Sequence, residues 1–148
     1  MTLEKKQVYI VDDDESVRRA LKLLVEAYGF AVDAYTSSEA FFSAIPNSTR
    51  GCLILDLYMP GLNGWDALER LMRTGSNRPV IMITASKSEG LEEQALKAGA
   101  IGLLLKPFND QELVDLIDLA FGSGLRPMTA GIKEALDDQG AIERSVLC

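Results

Sequence analysis

Histidine is absent from the 148 residues of this chain. Without imidazole there is no histidine general base, no Ser-His-Asp or Cys-His nucleophile pair, and no metal site built on ring nitrogens. Cysteine is almost absent: Cys52 and Cys148 cannot build a disulfide framework, and neither belongs to a Cys-x-x-Cys pair. Cys52 sits in an apolar run and reads as a small core residue, not a reactive thiol. Positive charge is in deficit, with 15 Lys and Arg against 22 Asp and Glu, a net charge of −7. No broad basic surface can then neutralise phosphate backbones or anionic lipid, so direct nucleic-acid binding is not expected. No apolar run approaches the ~18 residues of a membrane span, and Met1 to Lys6 lack the apolar stretch of a signal peptide. A cytoplasmic chain without membrane contact is expected. Glycine-rich phosphate loops are also missing: there is no G-x-x-x-x-G-K-S/T, and no G-x-G-x-x-G follows the first apolar run.

What is present is an alternation of short apolar runs with segments of helical period. Val8 to Val11, Phe30 to Tyr35, Cys52 to Leu55, Val80 to Ile83 and Ile101 to Leu105 read as strands. Between and after them, Val17, Ala20, Leu21, Leu24 and Val25 recur at helical spacing, as do Trp65, Leu68, Leu71 and Met72; Leu91, Ala95, Leu96 and Ala98; and Leu113, Leu116, Ile117 and Ala120. Ser38 to Ala44 is a shorter helix ended by Pro46, and Gly29 and Gly99 close two of the others. Five βα units with uninterrupted apolar strands imply an α/β fold, a five-stranded doubly wound parallel sheet covered by helices on both faces. A closed eight-unit barrel needs roughly 250 residues and does not fit. In an open sheet of order 2-1-3-4-5, ligands sit beyond the carboxyl ends of the strands, between the first and the third. One domain is expected over residues 1–122. Residues 123–148 read as an extension or linker without a core of its own, with one short helix around 130–138.

Chemistry gathers at the strand ends. Asp12-Asp13-Asp14 follows the first strand and Asp56 the third. Carboxylates converging on one crevice repel one another unless a cation joins them, and an oxygen-only set selects Mg²⁺ or Mn²⁺. The plainer alternative is that Asp12 to Glu15 cap the first helix and complement its dipole. Asp56 at such a site can act as a nucleophile toward phosphorus if a metal screens the approaching charges. Thr84 ends the fourth strand and Lys106 the fifth, adding a hydroxyl and an ammonium suited to a phosphoryl group. Pro107 restrains the loop after Lys106, and a cis bond there is possible.

These residues together resemble the receiver domain of bacterial two-component response regulators, a CheY-like, flavodoxin-like fold. The resemblance covers about residues 5–122 and rests on Val11-Asp12-Asp13, Leu55-Asp56-Leu57-Tyr58-Met59-Pro60 with Gly64, Ile83-Thr84-Ala85, Lys97-Ala98-Gly99-Ala100 and Lys106-Pro107-Phe108. Local wording such as Tyr35-x-x-x-Glu39-Ala40-Phe41 is similar to receivers attached to helix-turn-helix outputs. The resemblance implies that Asp56 accepts a phosphoryl group from a sensor histidine kinase or phosphotransfer protein. It implies Mg²⁺ held by Asp13, Asp56 and the Tyr58 carbonyl, with Asp12 assisting through water. Lys106 and Thr84, with Ala85 beside it, would engage the phosphoryl oxygens, and Tyr58 and Ser86 would tune hydrolysis. It also implies a signalling domain that promotes only its own phosphoryl transfer and dephosphorylation, and dimerisation through the face of the fourth helix, fifth strand and fifth helix. Leu103 departs from the pattern, standing where many receivers carry Tyr or Phe. Two other readings are open. Leu103 suits a receiver that binds partners without phosphorylation, and Asp12-x-Asp14-x-Ser16 resembles the nucleophile motif of haloacid-dehalogenase-type phosphatases.

Overall fold

The structure is a computed structural model, and it describes residues 5–86 and 88–122. The extension expected at 123–148, and the short helix expected within it, lie outside the described residues. Ten elements alternate along the chain: β1 (Gln7–Val11), α1 (Glu15–Ala27), β2 (Ala31–Tyr35), α2 (Ser38–Ala44), β3 (Cys52–Asp56), α3 (Gly64–Arg73), β4 (Val80–Thr84), α4 (Leu91–Ala98), β5 (Gly102–Leu105) and α5 (Asp110–Ala120). The strands form one parallel sheet of order β2-β1-β3-β4-β5.

Strand pleating divides the apolar runs between two cores. Val8 and Ile10 of β1, Cys52 and Ile54 of β3 and Ile81 and Ile83 of β4 pack with Leu21 and Val25 of α1 and Leu113 and Ile117 of α5. Their neighbours Tyr9, Val11, Leu53, Leu55, Val80 and Met82 pack on the other face with Phe41 of α2, Leu68 and Leu71 of α3 and Ala95 of α4. All residues of β3 and β4 are buried, which is why their sequences run apolar instead of alternating. Cys52 is fully enclosed, and burial pushes its thiol up to about 12, so it is the inert core residue its surroundings suggest.

The boundaries differ from the sequence reading by one residue in places that matter. The apolar runs to Leu55 and Ile83 each extend by one residue, so that Asp56 and Thr84 end β3 and β4 as the sequence suggests, because their backbones still pair with the adjacent strands. Phe30 and Ile101 precede β2 and β5; Phe30 is buried in the core and stacks on Phe121 at 5.9 Å. Strand order reverses between β1 and β3, which opens the crevice where Asp12 and Asp56 emerge.

Candidate functional site

The three successive aspartates after β1 have three different environments. Asp12 is fully buried; its Oδ1 accepts the Asp14 N–H at 2.9 Å, and its carbonyl accepts from Arg18 Nη1 at 2.8 Å. Asp14 is the N-cap of α1, accepting from the N–H groups of Ser16 at 2.8 Å and Val17 at 3.2 Å. Asp13, between them, is exposed. Capping thus falls to Asp14, while Glu15, in the first turn, complements the helix dipole. Glu15 pairs with Arg19 on the exposed face of α1.

Across the crevice, a carboxylate oxygen from each of Asp12, Asp13 and Asp56 lies within 4.8 Å of the others. Asp56 is 7% exposed. Burial is the main reason its carboxyl is pushed up to about 6, and the Asp12 charge adds to the effect; the Lys106 ammonium and the Tyr58 N–H oppose it. Lys106 Nζ stands 3.1 Å from Asp12 Oδ2 and 3.6 Å from Asp56 Oδ2. One ammonium therefore faces a cluster of three carboxylates, with no imidazole or thiolate among the grouped ligands. This oxygen-only, charge-excess set fits a hard divalent cation.

The same rim carries the fourth-strand hydroxyl. Thr84 is fully buried, its Oγ1 accepts the Ser86 N–H at 3.0 Å, and its carbonyl accepts the Lys106 N–H at 2.7 Å. The β3–α3 loop returns to the site because Gly64 donates its N–H to the Leu57 carbonyl at 2.8 Å. A Cβ at Gly64 would stand 2.7 Å from both the Asp56 carbonyl oxygen and Leu57 Cα, so only glycine allows this approach.

With this geometry the chain can be set beside known proteins. Residues 8–118 match the response regulator receiver domain. The chain belongs to that family. As a receiver domain it works in two-component phosphorelay signalling. The transcriptional regulatory protein FixJ of Bradyrhizobium diazoefficiens is 35% identical over 116 residues, covering 78% of this chain and 57% of that one. The response regulator protein TodT of Pseudomonas putida is 33% identical over 145 residues, 95% of this chain and 64% of that one. The receiver thus spans less than two thirds of these curated relatives. Among solved structures, a response regulator receiver protein from Burkholderia phymatum is 44% identical with a TM-score of 0.69, covering 80% of this chain and 96% of its own. The FixJ N-terminal structure is 36% identical with a TM-score of 0.73, covering 80% and 94%.

Of the remaining residues singled out in the receiver sequence, Tyr58, Ala85, Ser86 and Pro107 follow the carboxyl ends of β3, β4 and β5, and Leu103 lies within β5. Tyr58 directs its N–H at Asp56 while the residue is half exposed; Ala85 and Ser86 are exposed; and the Lys106–Pro107 bond is cis. Leu103 is partly buried against the core on the α2–α3–α4 face. Sequence reasoning missed Arg18, whose grip on the Asp12 carbonyl fixes the start of α1. It also missed Arg78, 3% exposed, which donates through Nε to the Thr49 carbonyl at 2.7 Å and through Nη2 to the Pro46 carbonyl. Both bind backbone carbonyls, so nothing in residue type or spacing points to them.

Proposed function

We propose that Asp56 is the phosphoryl acceptor of this receiver, taking its phosphoryl group from a phosphohistidine on a sensor histidine kinase or phosphotransfer protein in the cytoplasm. A carboxylate oxygen of Asp56 attacks phosphorus, the P–N bond breaks with its electron pair going to the imidazole, and an acyl phosphate is left on Asp56. The observation that carries this reading is the gathering of the Asp12, Asp13 and Asp56 carboxylates around one nucleophile, with the Lys106 ammonium 3.6 Å from it. Mg²⁺ or Mn²⁺, held by Asp12, Asp13, Asp56 and the Tyr58 carbonyl, would screen the charge of the incoming phosphoryl group.

The chain's own residues do the rest. Lys106, already in the crevice, pairs with the phosphoryl oxygens as a point charge. Thr84 Oγ1 uses an acceptor lone pair on Ser86, so its proton is free to turn toward a phosphoryl oxygen beside Ala85. That turn biases the β4–α4 loop, and Leu103, on the partly buried strand beyond, takes the place of the aromatic reporter. The α4–β5–α5 face becomes the dimer surface. Tyr58 and Ser86 flank the acceptor and set how readily water reaches the acyl phosphate. The activity is limited to the domain's own phosphorylation and dephosphorylation. The phosphatase alternative is disfavoured because the Asp14 carboxylate is committed to capping α1.

The test is incubation with Mg²⁺ and a small acyl-phosphate donor, read by intact mass. One added phosphoryl group that Asp56→Asn abolishes is expected. No gain would favour the phosphorylation-independent interaction module, and steady phosphomonoester turnover abolished by Asp12→Asn would favour the phosphatase.

A further inference from the structure

The β3–α3 loop, residues 57–63, borders the cation site, and from it the Tyr58 N–H faces the Asp56 carboxylate and favours its charged form. Its first half is anchored by the core: Leu57 and Met59 are buried, and the Leu57 N–H donates to the Ile83 carbonyl at 2.8 Å. Its second half leaves the core, and there the contact comes from another element. The Leu62 N–H donates to Oε2 of Glu39, in the first turn of α2, at 3.2 Å. Gly61 lies against the same oxygen: its φ is +75°, and a Cβ there would stand 2.9 Å from Glu39 Oε2.

Helix α2 does not need Glu39 to satisfy its cap, because Ser37 Oγ already accepts the Ala40 N–H at 3.0 Å. Nor is α2 a loose support. Phe41 is 1% exposed and meets Tyr9, Tyr35 and Phe42 edge to face at 5.5, 5.6 and 5.6 Å. Arg70 of α3 lies over the Phe42 ring at 4.1 Å, tying the helix that follows the loop to the same base. An exposed glutamate would ordinarily be left to water; this one reaches a backbone N–H 23 residues away, in the loop beside the acceptor.

We infer that Glu39 is a positioning residue for the cation site, a clasp from α2 that holds the β3–α3 loop so that Tyr58 keeps its place beside Asp56. The inference rests on the cation site that the function proposed above requires. Its effect runs through the hydrogen bond and not through the negative charge, since an amide oxygen can accept the same N–H.

The experiment titrates Mg²⁺ into the full chain by calorimetry, without any phosphoryl donor, for wild type, Glu39→Ala and Glu39→Gln, with a thermal melt of each. Glu39→Ala is expected to weaken Mg²⁺ binding about three- to tenfold, the factor that loss of one hydrogen bond supplies, and to speed hydrogen exchange at the Leu62 amide. Glu39→Gln is expected to stay within about twofold of wild type, because it retains the acceptor. An unchanged Mg²⁺ affinity in Glu39→Ala, even with a lower Tm, overturns the inference by leaving Glu39 a purely structural role. Equal weakening in Glu39→Gln overturns it too, by assigning the effect to charge. If wild type takes Mg²⁺ here but gains no phosphoryl group in the separate intact-mass assay with an acyl-phosphate donor, the acceptor reading fails while the clasp on the cation site stands. Wild type that takes no Mg²⁺ removes both.

Discussion

Lys106 lies closer to Asp12, at 3.1 Å, than to Asp56, at 3.6 Å. The ammonium is thus shared between a fully enclosed carboxylate that it neutralises and Asp56, the proposed acceptor, which it leaves partly uncompensated. Replacing it by Met strands the buried Asp12 charge. Lys106→Met is expected to cost about 2–4 kcal/mol without metal, somewhat less than a fully enclosed pair would, because the Lys106 side chain keeps 21% exposure. Urea unfolding with and without Mg²⁺ checks this: the deficit is expected to shrink when the cation supplies the missing charge, and equal deficits in both conditions would contradict it.

The uncompensated charge on Asp56 has a pH signature. Its carboxyl rises from 3.8 to about 6 on folding, so the folded state holds its proton more tightly. The Asp56 contribution to stability is complete below about pH 4 and lost as pH rises through about 6, a loss on the order of 3 kcal/mol. Asp56→Asn keeps an oxygen for Lys106 and for the Tyr58 N–H while removing the repulsion with Asp12. In EDTA at pH 7.5 it is expected to melt several degrees above wild type, and the two melting curves are expected to converge near pH 4. A variant that melts at or below wild type at pH 7.5 would contradict this.

The switch role proposed for Thr84 predicts that phosphorylation and its consequence can be separated there. Thr84→Val keeps the shape of a buried side chain but loses both the acceptor for Ser86 and the proton for a phosphoryl oxygen. Because Ser86 is exposed and water can replace the lost partner, the stability cost is expected to stay near 1 kcal/mol. The variant is expected to take up phosphoryl at Asp56 yet stay monomeric in sedimentation, whereas phosphorylated wild type is expected to dimerise. Dimerisation equal to wild type would rule out the switch role.

Gly64 connects loop shape to the site. A methyl group there meets backbone on every side, at 2.7 Å from the Asp56 carbonyl oxygen and Leu57 Cα and 3.0 Å from the Leu57 carbonyl oxygen, and none of these can swing away as a side chain could. Gly64→Ala is expected to destabilise the domain by roughly 1–3 kcal/mol and to weaken Mg²⁺ binding by moving Tyr58. Calorimetry that finds the affinity intact in a folded Gly64→Ala protein would contradict the coupling.

Much of this arrangement is legible in the residues themselves, for physical reasons. Strands buried on both faces must be apolar throughout, so Cys52 to Leu55 and Val80 to Ile83 stand out, and in a parallel sheet the polar residue after each run falls on the carboxyl rim. Asp56, Thr84 and Lys106 are placed by that rule. That rule alone does not separate Asp12 from Asp14, since both precede a helix; the resemblance assigns Asp12 and not Asp14 to the metal, and the three-dimensional partners are Lys106 for Asp12 and the Ser16 and Val17 N–H groups for Asp14. Arg18, Glu39 and Arg78 were out of reach for a related reason. Each spends its charge on a backbone group, and backbone groups look alike in every sequence.

The most direct test of the acceptor assignment is chemical trapping. Phosphorylate the chain with a small acyl phosphate and Mg²⁺, reduce the acyl phosphate with borohydride, and sequence the peptide that carries the change. Homoserine in place of Asp56, and at no other aspartate, is the expected result. Homoserine at Asp12 or Asp13, or an unmodified chain under conditions where Mg²⁺ binds, would contradict it.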